Sequence, residues 1–183
     1  MEINEFKEKM NENAKKINIE FNDKQLEQFF EYMNLLIEWN EKINLTAITE
    51  PKEIIIKHFI DSLTINKYIE KKNKIVYVGT GAGFPGIPIK IYRPDVEVTL
   101  VDSLNKRINF LNEVISKLGL EKINTIHARV EEFARNKKYR EKFDIVTARA
   151  VANLTVLSEY LLPLTKNNGK CICMIGSNIE EEC

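Results

Sequence analysis

Between residues 22 and 43 the apolar side chains Leu26, Phe29, Phe30, Met33, Leu36 and Ile37 recur three and four positions apart, the spacing that lines one face of a helix. Asn22, followed three residues on by Gln25, predicts where it starts, because each side chain can satisfy an orphan backbone N–H of the first turn. Similar spacing predicts helices over roughly 3–16 and 51–71, the second opening near Thr49 and Pro51, where proline suits a first turn. No strand signal interrupts residues 1–72.

From residue 75 the pattern changes. Short β-rich runs at Ile75–Val78, Val96–Val101, Ile123–His127, Phe143–Ala148 and Lys170–Ile175 alternate with helical stretches. That alternation predicts βαβ units and a parallel sheet with right-handed crossovers. The polar run Lys71-Lys72-Asn73-Lys74 separates the two regimes, giving a helical region at 1–72 and an α/β core at 73–183. In open α/β sheets ligands lie beyond the carboxyl ends of the strands, so functional groups are expected there.

Four of the seven glycines fall within eight positions after the first strand, in Gly79-Thr80-Gly81-Ala82-Gly83-Phe84-Pro85-Gly86. Glycine tolerates positive φ and lets a ligand approach the backbone closely, and a helix beginning near Pro85 or Pro88 would aim its N–H groups at that ligand. Asp102 ends the second strand, 23 residues after Gly79. A carboxylate at that place can accept hydrogen bonds from both hydroxyls of a ribose, or it can cap the helix that follows. Two frames overlap in the glycines. Gly81, Gly83 and Gly86 fit a dinucleotide site, whereas Gly79, Gly81 and Gly83 fit an S-adenosylmethionine site. The dinucleotide frame needs its third glycine in a regular helix packed on the strand. Pro85, Pro88 and Pro94 leave only a short helix there, which favours the adenosylmethionine frame.

Arg149 follows an apolar strand, where a charge needs a partner. It is read either as a salt bridge or as a guanidinium fork for a carboxylate or a guanine O6. Arg135, Lys137, Lys138, Arg140 and Lys142 form a basic run, read as a phosphate patch or as a solvated face. Overall the chain of 183 residues carries 27 basic and 27 acidic side chains, which excludes a global positive field for nucleic acid or membrane. Residues 1–72 hold 11 basic and 14 acidic groups, so a polyanion is expected to meet the later part. No leader peptide or membrane span is legible, which predicts a cytosolic protein. Cys171, Cys173 and Cys183 are an odd number and predict free thiols, and with only His58 and His127 beside them no metal site is expected.

Four stretches carry a resemblance: Trp39-Asn40-Glu41-Lys42-Ile43-Asn44-Leu45-Thr46, Lys57-His58-Phe59-Ile60-Asp61-Ser62-Leu63, the glycine loop from Val78 to Pro88, and Thr147-Ala148-Arg149-Ala150-Val151-Ala152. Together they resemble the glucose-inhibited division protein B family, the small-subunit ribosomal RNA methyltransferases G. The resemblance implies a Rossmann-like methyltransferase fold with a helical N-terminal region. The implied activity is transfer of a methyl group from S-adenosylmethionine to N7 of a guanine in 16S ribosomal RNA, with naked RNA or the small ribosomal subunit as partner and a monomeric protein. Carried over position by position, cofactor contacts fall on Gly79 and Phe84, on Val130 and Glu131 after the third strand, and on Arg149. Gly81, Gly83 and Asp102 join them from the reading of the residues. Lys57, His58, Arg135, Lys137 and Lys138 are the candidate RNA contacts. Tyr77 stands where the family has an acid, Val130 where it has an alanine and Ile175 where it has a lysine. The family also continues to further strands, whereas this chain stops at Cys183.

Guanine N7 presents a free lone pair, so methylation there needs no general base, and no catalytic group is expected beyond positioning, with Arg149 the one candidate. In an RNA helix N7 faces a groove too narrow for side chains, which predicts an unpaired or extruded target. Two other readings remain open at this stage: a dinucleotide-dependent oxidoreductase, and an RNA-binding relative without turnover.

Overall fold

A computed structural model describes residues 1–149 and 154–174. Three helical segments come first: α1 (Ile3–Lys15), α2 (Asp23–Ile43), and a composite run of α3 (Pro51–Glu53), a π-helical stretch (Ile54–Ile60), α4 (Asp61–Leu63) and a 3-10 stretch (Thr64–Tyr68). Then strands and helices alternate: β1 (Lys74–Val78), α5 (Gly86–Tyr92), β2 (Glu97–Asp102), α6 (Asn105–Lys117), β3 (Ile123–His127), α7 (Val130–Arg135), β4 (Phe143–Arg149), α8 (Leu154–Leu161) and β5 (Thr165–Met174).

The Asn22 cap forms as its sequence predicts: its side chain accepts from Gln25 N–H, and Gln25 answers to the Asn22 N–H. At the other end Asn44 takes a left-handed conformation (φ 48°), and Asn40 Oδ1 accepts from the N–H groups of Leu45 and Thr46 at 2.6 and 2.8 Å. That turn carries Leu45 and Thr46 back toward the sheet. Along α2 the buried face includes Tyr32 and Leu35 as well as Leu26, Phe29, Met33 and Leu36.

All pairings in the five-stranded sheet are parallel, in the order β3-β2-β1-β4-β5. Strand order therefore reverses direction between β1 and β4, and the crevice beyond their carboxyl ends is where this topology places ligands. Alternate residues of each strand feed opposite faces. Ile75 and Tyr77 join one apolar cluster with α1, α2, α5 and α6, while Val76 and Val78 join a second with Phe133, Phe143 and Leu161.

Residues of the helical region at 1–72 belong to the same apolar cluster as residues of the sheet, α5 and α6. One sequence expectation needs correction. The fifth strand begins at Thr165 and not at Lys170. Thr165 pairs with Phe143, a register shift follows, and Asn168 takes φ 66°. The register shift leaves Lys166–Gly169 without partners in the β4 ladder between Thr165 and Lys170. Cys171 and Cys173 sit half-buried against the second cluster, and burial together with the neighbouring thiol pushes Cys171 up to about 11. Ala150–Ala152, Ile175 and Cys183 lie outside the described residues, and β5 is an edge strand among those that are described.

Candidate active site

The glycine loop leaves β1 at the sheet's reversal point. Gly79, Gly81 and Gly83 adopt φ of 64°, 58° and 100°, a region L-residues rarely enter. Two anchors fix the loop. Gly79 and Thr80 donate to the carbonyl of Val101, and Gly81 donates to Asp102 Oδ2 at 2.8 Å. On the far side Tyr32 donates its hydroxyl to the Ala82 carbonyl at 2.5 Å, so helix α2 and strand β2 grip the loop from opposite directions.

Asp102 is buried, 2% exposed. Its Oδ1 accepts from Leu104 N–H at 2.9 Å, and Arg107 lies 3.5 Å from Oδ2. The carboxylate is thus buried while it also bonds the residue just before α6. The carboxylate holds the loop and the start of the next helix together.

Around this loop lies a cavity of about 420 Å³. Its floor is Gly79, Thr80, Gly81 and Ala82, and one wall is Asp102, Ser103 and Arg107. Leu45, Thr46, His58, Phe84 and Arg149 form the other wall. The His58 ring stacks on Phe84 with centroids 4.3 Å apart and planes 15° from parallel, and its Nε2 meets Thr46 Oγ1 at 2.9 Å. Arg149 places its guanidinium 6.0 Å from the Phe84 centroid, donates to the Lys57 carbonyl at 2.8 Å and lies 3.2 Å from Asp61. Burial, reinforced by the Arg149 charge, lowers His58 to about 4, so the imidazole is neutral near pH 7.

Three polar atoms of these lining residues are buried with no hydrogen-bond partner among the described residues: Thr80 Oγ1, His58 Nδ1 and Arg149 Nη1. Buried polar groups are normally paired, and three of the residues that line this cavity each carry a buried polar atom that is not. Gly81 adds a cradle, since a Cβ there would meet nothing within 4 Å. A cationic fork, an apolar ring and open backbone together suit a nucleoside that carries an amino-acid carboxylate.

The other expected residues fall elsewhere. Val130 and Glu131 open α7 beyond the carboxyl end of β3, one strand outward from Asp102, and do not line this cavity. Lys57 is exposed and pairs with Glu53. His58 is only 8% exposed, so it faces the ring of Phe84 and not solvent. Arg135 at the end of α7, and Lys137 and Lys138 just after it, are exposed and do not line this cavity. Tyr77, standing where the family has an acid, points into the core: its hydroxyl is buried, unpartnered and absent from the cavity wall, and burial raises its pKa. Sequence reasoning assigned no role to Thr46, Thr80 or Arg107, although Thr46 ends a motif stretch and Thr80 sits within the glycine run. Gly86 is the residue whose packing was least expected. A Cβ there would come within 2.4 Å of Leu100 and 2.9 Å of Tyr77, which is the close helix–strand contact asked of a third dinucleotide glycine. Packing alone therefore does not choose between the two frames.

Fold and site together define a Rossmann-like S-adenosylmethionine-dependent methyltransferase. Solved structures share the fold: a SAM-dependent methyltransferase from Aquifex aeolicus aligns with TM-score 0.50 at 18% identity, covering 64% of this chain and 63% of its own. P. horikoshii TYW2, crystallised in complex with MeSAdo, aligns with TM-score 0.55 at 15% identity over 62% of this chain and 42% of its own. The family model for rRNA small subunit methyltransferase G matches residues 25–183, and the chain belongs to that family. Curated relatives bearing the name ribosomal RNA small subunit methyltransferase G are 54% identical in Clostridium novyi, covering 94% of this chain and 72% of that protein. In Clostridium perfringens the identity is 59%, over 91% and 70%. Neither the oxidoreductase nor the inactive RNA-binding reading is favoured by these matches. No described helix is long and apolar enough to cross a membrane.

Proposed function

We propose that this protein transfers a methyl group from S-adenosylmethionine to N7 of a guanine in 16S ribosomal RNA, acting as a monomer in the cytoplasm on the RNA or the small ribosomal subunit. The observation that carries the reading is the cavity beside the glycine loop, lined by Phe84, Asp102, Arg149, His58 and Thr80, the last three each with a buried polar atom that has no partner among the described residues. Family membership supplies the substrate, since the relatives are named for the small-subunit ribosomal RNA.

When bound, the cofactor supplies an electrophilic methyl on a sulfonium. Arg149 would hold its carboxylate with its guanidinium, whose Nη2 is taken by the Lys57 carbonyl and Asp61 and whose Nη1 has no partner among the described residues. The Gly79–Gly83 backbone would sit against the adenosyl group, with Phe84 as its apolar wall and Asp102 tying the loop in place. The ribose hydroxyls, if they reach Asp102, share a carboxylate already accepting two backbone bonds, which leaves lone pairs free. Val130 and Glu131 would read the adenine edge from the end of β3.

The acceptor asks little of the chain. N7 carries no proton, so the residues need only position it, and the described lining supplies no group poised as a base: His58 is neutral, pinned to Thr46 and stacked on Phe84. A neutral imidazole here also avoids adding a positive charge next to Arg149 and a sulfonium. The test is incubation of the protein with 16S ribosomal RNA or small subunits and methyl-labelled S-adenosylmethionine, followed by nucleoside analysis. Label in 7-methylguanosine is expected. Label in another nucleoside, or none from a folded sample, contradicts the reading.

A further inference from the structure

At the end of the sheet opposite the glycine loop, a second cavity of about 650 Å³ opens against the amino ends of the strands. Five lysines from four segments line it: Lys74 at the start of β1, Lys122 just before β3, Lys138 and Lys142 between α7 and β4, and Lys166 in β5. Glu97 is its one acidic lining residue, and it pairs with Lys74 at 3.4 Å. Lys166 is answered by Asp144 at 2.7 Å. Lys122, Lys138 and Lys142 are exposed, and among the described residues none of them has an ion-pair partner. Lys138 instead rests its ammonium 5.4 Å from the Tyr139 ring.

The cavity has a structural cause. Helix α7 is six residues long, about 9 Å, and leaves the amino-terminal halves of β2 and β3 uncovered on its face. There Thr99 donates to Asn124 Oδ1 at 3.1 Å, and the Asn124 amide nitrogen has no hydrogen bond among the described residues, which gives the floor a donor. Concave polar surface ringed by unpaired cations focuses positive potential, and in a chain of zero net charge that potential is local. The fold also divides the basic run read from sequence: Lys138 and Lys142 turn into this cavity with Lys122, whereas Arg135, Lys137 and Arg140 do not line it.

Five or six strand residues at about 3.3 Å each separate this cavity from the glycine loop by ~17–20 Å, too far for one nucleotide to touch both. A polymer of phosphates can. We propose that the lysine cavity is a second, remote phosphate-binding contact, holding a flanking stretch of RNA backbone while the target base lies at the glycine loop. This rests on the RNA reading above and adds to it a site outside the methyl-transfer cavity.

The test compares K122A/K138A/K142A with K15A/K16A/K24A, an equal loss of charge at exposed lysines outside the cavity, by fluorescence anisotropy on a 16S ribosomal RNA transcript between 50 and 200 mM salt. For three lost phosphate contacts the cavity variant should bind at least tenfold more weakly at 0.1 M salt, and its slope of log affinity against log salt should shrink by about 2–3. S-adenosylmethionine binding and the melting temperature should not change, which excludes misfolding as the cause. An unchanged slope, or an equal change in the control, overturns the proposal while methylation by the unmodified protein leaves the RNA reading standing. If titration with ATP shows binding by the unmodified protein that K122A/K138A/K142A loses while the RNA slope is intact, the proposal is overturned in favour of a free nucleotide. Absence of RNA binding and methylation by the unmodified protein overturns both.

Discussion

Gly81 donates its N–H to Asp102 Oδ2 at 2.8 Å, so the middle of the glycine loop hangs from the last residue of β2. The carboxylate is buried and takes a second backbone bond from Leu104. Replacing Asp102 by Ala should orphan both donors at about 1–3 kcal/mol each and loosen the loop. Thermal melting should show the loss of stability, and calorimetry should show S-adenosylmethionine affinity falling at least tenfold. Full affinity in the variant would mean that the loop keeps its shape without this anchor.

Two glycines of the loop should respond very differently to alanine. At Gly81 the new Cβ meets open space, so the cost is the left-handed backbone alone, about 1 kcal/mol. At Gly83, with φ 100°, it would strike Ile87 at 2.7 Å and the Tyr32 hydroxyl at 2.8 Å, adding overpacking of ~1–3 kcal/mol. Chemical denaturation should rank Gly83→Ala well below Gly81→Ala in stability. For cofactor binding the cradle argument expects Gly81→Ala to weaken affinity despite its near-normal fold.

Among the described residues Arg149 contacts Asp61 and the Lys57 carbonyl, and its Nη1 has no partner. Lysine at this position preserves the charge but loses the fork. Because Asp61 is about half exposed, the ion pair contributes little to stability, under about 1 kcal/mol. Arg149→Lys should therefore melt close to the unmodified protein and bind S-adenosylmethionine at least tenfold more weakly, which differential scanning fluorimetry and calorimetry would separate.

His58 links stability to pH. Its folded pKa of about 4 lies below the ordinary value near 6.5, so the unfolded chain binds the extra proton as pH falls. Its contribution is fully present above about pH 6.5 and is lost as pH falls toward 4, with a slope approaching ~1.4 kcal/mol per pH unit. Urea unfolding at pH 7 and pH 5 should show this loss in the unmodified protein, and His58→Gln should flatten that part of the profile. Equal pH dependence in both proteins would mean that His58 is not the group responsible.

Much of the framework is legible in the chain itself. The Asn22 and Gln25 cap, the amphipathic face of α2 and the clustered glycines are local signals, each recognisable within a few residues because backbone chemistry demands them. What escapes is what tertiary packing decides. Nothing local shows that residues 54–60 wind as a π-helix and so lay His58 flat on Phe84, or that the Tyr32 hydroxyl reaches the Ala82 carbonyl 50 residues away. The basic run after α7 is visible as a run, but its division between cavity and outer surface depends on how short α7 is. Tyr77 was legible as a departure from the family; that its hydroxyl turns into the core followed only from the register of β1.

The central claim is that the glycine loop, Phe84 and Arg149 form the S-adenosylmethionine site, and the most direct test is calorimetric titration of the folded protein with that cofactor, alongside Arg149→Ala. Saturable one-to-one binding by the unmodified protein, lost in the variant while its circular dichroism is preserved, is the expected result. A folded protein that does not bind, or a variant that binds equally well, would contradict the account.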